Sequence, residues 1–298
     1  MQNLQLAWQP AAALSFGLAV GSVAGYRGGR TARLAPYLRE SALVAALYSL
    51  WQLAASVSVL GPSGALSRGR WIAEWERRWL PLPSERTVQR TITGHPLLAQ
   101  GANWFYAAMH FTALGLLLLW LFVRHRDRYP RVRNVLVALT ASSLLIQLIP
   151  VAPPRLLPQL GFVDTAAQYG QSVYGISGIS VDQLSAMPSV HVGWALLVAW
   201  AVLTVGTGRL RWWVLLHPLL TCFVVVATAN HFWLDGIVAA VLLAGSIAGV
   251  ELSGRRFGQL GTDHGDAGAV RGGHVGQRLP DTGERDPAGD ELVGPQRS

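Results

Sequence analysis

The chain has 298 residues, of which 51% are hydrophobic and only 13% are charged. That balance is too apolar for a soluble domain of this length, so the composition indicates a membrane protein. The formal net charge is +8, and all 24 basic residues are arginine. Because most arginines lie between apolar segments, we interpret the charge as setting topology and attracting lipid surfaces, and we exclude nucleic acid as a partner.

Six apolar segments contain no Asp, Glu, Arg or Lys apart from Asp235. Each of the first five has about the 20 residues that a spanning helix needs, and the sixth is long enough for two. The sequence therefore predicts an all-α, polytopic membrane helical bundle with about seven transmembrane helices. The segments are 4–26, 41–60, 103–123, 134–151, 187–206 and 212–250.

We expect the chain to divide into three parts. Residues 1–40 would form an additional N-terminal span and a basic cytoplasmic loop, and residues 41–251 a membrane domain with a six-helix core. Residues 252–298 would form a cytoplasmic tail. This tail is rich in Gly, Asp and Arg and has almost no aromatic residues, which predicts disorder.

The long connection 61–102 predicts one helix that lies on the membrane surface. Trp71, Trp75 and Trp79 recur every four residues with charged residues between them. This pattern is typical of an amphipathic interfacial helix at the level of the lipid head groups. An ordinary packed loop helix is the alternative, and neither interpretation needs a catalytic role for it.

The short basic loops predict the orientation of the spans. Loops 27–40, 124–133 and 207–211 are cytoplasmic under the positive-inside rule, and seven spans then alternate with the N-terminus outside. The long connection 61–102 goes against this rule, because it places six arginines on the outer side. The loop 152–187 would consequently face the extracytoplasmic side of the plasma membrane.

Two motifs at the ends of apolar segments carry residues that can do chemistry. The sequence PSVH at 188–191 contains His191, and the sequence NHFWLD at 230–235 contains His231 and Asp235. An ionisable side chain within the bilayer costs roughly 2.5–3.5 kcal/mol, so these residues are functional candidates. The four-residue spacing places His231 and Asp235 on one helix face, where the carboxylate can hold the imidazole in one tautomer.

Together with APPRLLPQLGFVDT at 152–165, these motifs resemble the phosphatidic acid phosphatase type 2 superfamily. The resemblance is closer to its inositol phosphorylceramide synthase-like branch, the inositolphosphotransferases. It covers roughly residues 40–250 and has weaker support from NWFYAAMHF at 103–111. The resemblance implies a membrane enzyme that transfers a phosphorylated head group from a phospholipid to a polyol, lipid or water acceptor, with no metal or other cofactor.

The resemblance also implies catalytic roles. His231 would attack phosphorus to form a phosphohistidine, and Asp235 would orient its ring. His191 would protonate the leaving oxygen and then deprotonate the acceptor. Two imidazoles with opposite protonation duties fit a double displacement at phosphorus.

Phosphate binding would fall to Arg155 and to the helix-start amides of Ser189 and Val190. The phosphatases of the superfamily carry a Lys and an Arg in their first motif and a further Arg six residues before the nucleophilic His. This chain has no lysine, and position 225 is Val. Val190 also stands where Gly usually follows the Ser. The lower cationic capacity favours a phosphodiester over a doubly charged phosphomonoester.

Four further polar residues are expected to lie behind the catalytic residues. Asn103, Tyr106 and His110 share one helix face at i, i+3 and i+7, and Asn230 precedes the nucleophile. Asp164 in the 152–187 loop is expected to serve as a turn or cap residue. No H-E-x-x-H pattern supports the alternative of a metal site at the two motif histidines.

Three functions stay open at this point. The first is head-group transfer through a phosphohistidine. The second is hydrolysis of a lipid phosphate or polyprenyl diphosphate on the same scaffold. The third is a non-catalytic transporter whose histidines relay protons.

Overall fold

The computed structural model describes residues 8–27, 31–56, 64–171 and 184–269, and every regular element in these ranges is a helix. The all-α prediction is therefore confirmed for this part of the chain. The helices are α1 (Trp8–Arg27), α2 (Ala35–Ser56), α3 (Ala65–Trp79), α4 (Glu85–Thr93), α5 (Pro96–Arg124), α6 (Tyr129–Gln147), α7 (Thr165–Gln168), α8 (Val190–Val205), α9 (Leu216–Ala227) and α10 (Trp233–Ala269).

Three described segments are long and apolar enough to cross a membrane. They are Pro96–Arg124, Arg209–Ala227, which joins a 3₁₀ turn to α9, and Trp233–Gly254 in α10. Helix α8 is equally apolar but shorter, with 16 residues. The chain is thus a multi-pass membrane protein, whereas the count of seven spans and the orientation stay predictions.

Helices α5, α6, α8 and α10 share the largest hydrophobic core. Leu121, Leu139 and Leu197 are almost completely buried in it. The indole of Trp194 on α8 donates a hydrogen bond to the Thr140 hydroxyl on α6 at 3.2 Å, which satisfies a polar group inside this core. The packing fixes the start of α8, and with it His191, against α5.

The connection predicted to hold one surface helix holds two, α3 and α4. Helix α3 exposes Trp71 and Trp79 and buries Ile72 and Glu76 on its other side. At Gly69 on the buried side, an added Cβ would lie 2.6 Å from the Ala152 carbonyl oxygen. Only glycine permits this close approach, so α3 packs directly on the loop that follows α6.

Both ends of the described chain are helical. Helix α1 pairs with α2 through a hydrogen bond from the Ser22 hydroxyl to the Ala35 carbonyl at 2.8 Å. A division of the chain into two compact units falls between Leu252 and Ser253. Helix α10 continues to Ala269 with no proline to interrupt it, so the segment predicted to be disordered begins as helix. Residues 270–298 lie outside the described residues.

Candidate active site

Backbone hydrogen bonds bring the three predicted motif segments together. The Arg155 N–H donates to the Ala229 carbonyl at 2.8 Å, which joins the loop after α6 to the turn before α10. The Ser189 N–H donates to the Asp235 carbonyl at 3.1 Å, which joins the starts of α8 and α10. As a result, the rings of His191 and His231 come within 5.7 Å, measured between their centroids.

The hydrogen bonds of His231 define its tautomer. Its Nδ1 lies 2.8 Å from the Ala186 carbonyl oxygen and 3.2 Å from the Asp235 Oδ2 atom. A carbonyl oxygen can only accept, so Nδ1 carries the proton and Nε2 keeps its lone pair. The Asp235 side chain is fully buried, and its Oδ2 also accepts the Phe232 N–H at 2.9 Å. This arrangement is suited to a nucleophilic Nε2.

Two residues of α5 hold the His191 ring. Tyr106 stacks on it, with centroids 4.2 Å apart and planes 18° apart, and the His110 ring lies 4.0 Å away. His110 Nδ1 lies 3.1 Å from the Tyr106 carbonyl oxygen, to which it donates. His191 itself stays partly exposed. Both contacts come from α5, so this helix fixes the position of the His191 ring.

Asn103 lies on the same helix but does not contact the histidines. Its Oδ1 accepts from the Thr165 hydroxyl at 3.1 Å, and its Nδ2 donates to Gln171 Oε1 at 3.1 Å. Asn103 therefore anchors the loop that carries Arg155. Of the three residues that share this helix face, Tyr106 and His110 lie against His191. Asn103 instead contacts Thr165 and Gln171.

Arg155 is buried, and two of its guanidinium nitrogens donate to acceptors of the site. Its Nε donates to Asn230 Oδ1 at 3.0 Å, and its Nη1 pairs with Asp164 Oδ2 at 3.1 Å. Asn230 is held in turn by the Thr228 hydroxyl, at 2.9 Å. Asp164 also caps α7 by accepting the Ala167 N–H at 2.9 Å, as expected of a cap residue. The ion pair with Arg155 was not predicted, and it partly neutralises the cation of the site.

The helix-start donors differ from the prediction at one position. Ser189 caps α8 by accepting the Val192 N–H on its hydroxyl at 3.3 Å. Because the Ser189 N–H already donates to Asp235, it is not available to a phosphate in this structure. The Val190 N–H is in the first turn of α8 and donates to no described residue. Val190 is thus the better placed of the two amides.

Glu76 on α3 is a site neighbour that sequence reasoning missed. Its side chain is 3% exposed, and its Oε1 accepts the N–H of Leu234 in the first turn of α10. Burial, followed by the neighbouring Glu85, raises the pKa of Glu76 to about 10. The available signal was its position four residues after Ile72, which places both residues on one face of α3.

Within the described residues, no three His, Cys, Asp or Glu side chains come together as a metal-ligand set. Cys222 on α9 is a free thiol.

Comparison with known proteins gives one match. The family model described as the PAP2 superfamily matches residues 70–249, more than half of the chain. No curated protein and no solved structure matches the chain. The matched range runs from α3 into α10 and includes every residue of the arrangement described above.

Proposed function

The chain belongs to the PAP2 superfamily, and on that premise we propose that it transfers a phosphorylated head group from a phospholipid through a phosphohistidine on His231. Members of the superfamily are phosphatases and phosphotransferases, so the chain is a membrane enzyme of this general type. One observation carries the finer proposal. The Nδ1–H of His231 is bonded to Ala186 and Asp235, and the second imidazole lies 5.7 Å away.

In the first half of the proposed reaction, His231 Nε2 attacks phosphorus. An N–P bond forms, and the P–O bond to the lipid alcohol breaks. Protonated His191 gives its proton to the departing oxygen, which leaves as a neutral hydroxyl. Asp235 stabilises the positive charge that develops on the His231 ring.

In the second half, an acceptor hydroxyl attacks the phosphohistidine. His191, now neutral, takes the proton of that hydroxyl while a new P–O bond forms and the N–P bond breaks. Arg155 and the Val190 N–H would stabilise the charge on the phosphoryl oxygens in both steps. Both histidines thereby return to their starting protonation states.

The electrostatics of the centre support a phosphodiester donor, as in the inositolphosphotransferase-like branch. Arg155 is the one motif cation, and Asp164 pairs with it at 3.1 Å. A phosphodiester brings one negative charge to this centre, and a phosphomonoester brings up to two. Each charge-assisted contact contributes roughly 1.5–3 kcal/mol, so a centre with few cations disfavours the more highly charged substrate.

Hydrolysis of a lipid phosphate or polyprenyl diphosphate is the second candidate. It is supported by the partial exposure of His191, which would let water reach the phosphohistidine as acceptor. Membership of an enzyme superfamily argues against the third possibility, a proton-relaying transporter.

The proposal is tested with purified protein and a phospholipid labelled in its head-group phosphate. Wild type should form an acid-labile, base-stable phosphoenzyme. His231→Ala should abolish it and lower turnover by at least about 10⁴-fold, because the nucleophile is gone. His191→Ala should lower turnover by roughly 10²–10⁴-fold, yet still give phosphoenzyme from a donor with a good leaving group.

His125→Ala is the matched control, since His125 follows α5 at its far end and packs against Trp120. It should leave turnover unchanged. Labelling that survives in His231→Ala would overturn the assignment of the nucleophile. If the same preparation hydrolyses phosphatidate faster than it transfers any diester, the hydrolase is the correct function.

A further inference from the structure

A cavity of about 660 Å³ lies next to the catalytic residues and takes no part in the proposed reaction. Its walls are α3, α4, the segment 158–162 and Trp233 at the start of α10. Its volume is in the range of small-ligand pockets, about 300–1,000 Å³. The catalytic histidines and Arg155 do not line it, so it is a separate compartment beside the reacting atoms.

Three arginines line the cavity from two sides. Arg86 and Arg90 are four residues apart and therefore share one face of α4, while Arg77 comes from α3. Within the described residues, none of the three makes an ion pair or a side-chain hydrogen bond. Their guanidinium groups are exposed cations that face a common space.

Two carboxyl groups also line this cavity, but they compensate only part of that charge. Glu76 and Glu85 are 3% and 5% exposed, and burial together with the neighbouring Glu85 raises the pKa of Glu76 to about 10. Glu76 therefore keeps its proton near neutral pH, which lowers the negative charge of the pair. Against three arginines, the lining is left with an excess of positive charge.

The start of α4 adds to this positive character. Ser84 is the N-cap of α4, where its hydroxyl accepts the Thr87 N–H at 3.4 Å, and both residues line the cavity. The N-terminal end of a helix carries a partial positive charge, which favours anions near it.

We propose that this cavity binds an anionic head group that carries a phosphate. Guanidinium groups match phosphate oxygens in geometry as well as charge, and three of them can surround one such group. The exposed Trp71 and Trp79 on α3 are suited to the head-group region of a membrane, where such ligands are found. The use of this cavity as a substrate subsite rests on the proposed function, whereas phosphate binding in the cavity does not.

The position of Trp233 connects this cavity to the catalytic centre. Its indole donates to the Pro83 carbonyl at 2.9 Å across the cavity wall, and it follows the nucleophile by two residues. A head group in the cavity would thus lie next to the turn that carries His231. This placement suits the charged part of a donor or acceptor whose reacting group reaches the histidines.

The test measures equilibrium binding to the full chain with two probes. Soluble glycerol 3-phosphate is titrated into protein in phosphatidylcholine nanodiscs, and phosphatidate is titrated into detergent-solubilised protein. A variant with Arg77, Arg86 and Arg90 all changed to Gln should bind both probes on the order of 1,000-fold more weakly, and each single variant about tenfold more weakly. Arg78→Gln is the control, because Arg78 neighbours Arg77 but stacks on Trp79 outside the cavity.

The two probes distinguish the source of the phosphate. Weakening with both shows that the phosphate itself is recognised, and weakening with phosphatidate alone shows that a lipid must deliver it. Equal binding by the Arg86→Gln, Arg90→Gln and Arg78→Gln variants would overturn the proposal even if the triple variant does not fold. The binding assay needs no turnover. A negative binding result therefore leaves the phosphohistidine result intact, and the absence of a phosphohistidine leaves the binding result intact.

Discussion

The catalytic centre and the arginine-lined cavity lie side by side but differ in how their arginines are paired. In the centre, the guanidinium of Arg155 is buried and paired with Asp164. In the cavity, three exposed arginines have no ion-pair partner among the described residues. An isolated buried charge is costly, so a cation beside the reacting atoms must be paired, whereas cations at the surface need no partner.

This contrast indicates a division of tasks. The paired Arg155 can position a singly charged phosphoryl group without attracting highly charged ions into the centre. The arginine-lined cavity can attract and hold charge without entering the chemistry. Substitutions that affect one region and spare the other therefore test the division directly.

Among the substitutions that compare the two regions, the largest effect is expected for Asp235→Asn. Its amide can donate toward His231 Nδ1, which would favour the opposite tautomer and remove the Nε2 lone pair. Turnover should fall by about 10³–10⁴-fold, while glycerol 3-phosphate should bind the cavity as in wild type. Initial rates and the binding titration measure the two responses on one preparation.

Asp127→Asn is the control for this change, because Asp127 forms an exposed ion pair with Arg128 in the short loop after α5. It should leave both quantities unchanged. A loss below about tenfold for Asp235→Asn would mean that Ala186 alone holds the His231 tautomer.

Short-range patterns predicted the chemical core of the site. His231 and Asp235 are one helical turn apart, and the structure places their side chains in hydrogen-bond contact. Tyr106 and His110 share a helix face, and both lie against His191. In each case a fixed helical spacing determines which side chains are neighbours, so the sequence is sufficient.

Contacts made by irregular or distant segments could not be predicted in this way. Glu76 meets the Leu234 N–H across 158 residues of sequence. Asp164 reaches Arg155 through a loop of 3₁₀ turns, for which no residue spacing predicts direction. Helix α4 was also missed, although Ser84 as N-cap with Val88 and Ile92 one turn apart is a readable signal.

A smaller effect, on substrate preference, is expected for Asp164→Asn, which tests whether the charge at Arg155 selects the substrate. Asparagine keeps the cap of α7 but removes the negative partner of Arg155. The more positive centre should then accept phosphomonoesters better, so the ratio of phosphatidate hydrolysis to diester transfer should rise about tenfold. Both rates are measured on one preparation, and Asp127→Asn again serves as the control. An unchanged ratio would show that charge at Arg155 does not select the substrate.

The smallest effect concerns Glu76, which lies between the two regions. Its pKa is raised from 4.5 to about 10, chiefly by burial and then by Glu85. The folded protein therefore holds a proton that the unfolded chain releases above about pH 4.5. The stabilisation from this proton is complete below that pH and is lost as the pH rises toward 10.

Glu76→Gln should remove this pH dependence without removing the contacts. The glutamine carbonyl can accept the Leu234 N–H and its amide can donate to Glu85, but it cannot ionise. The melting temperature of the full chain in detergent should therefore match wild type near pH 5 and exceed it increasingly toward pH 9.

Glu76→Ala should instead lower both the melting temperature and turnover at every pH, because the start of α10 loses its acceptor. Glu74→Gln, at an exposed position on the same helix, is the control. Parallel melting curves for wild type and Glu76→Gln would show that Glu76 is ionised in the folded protein and that its carboxyl group shares no proton with Glu85.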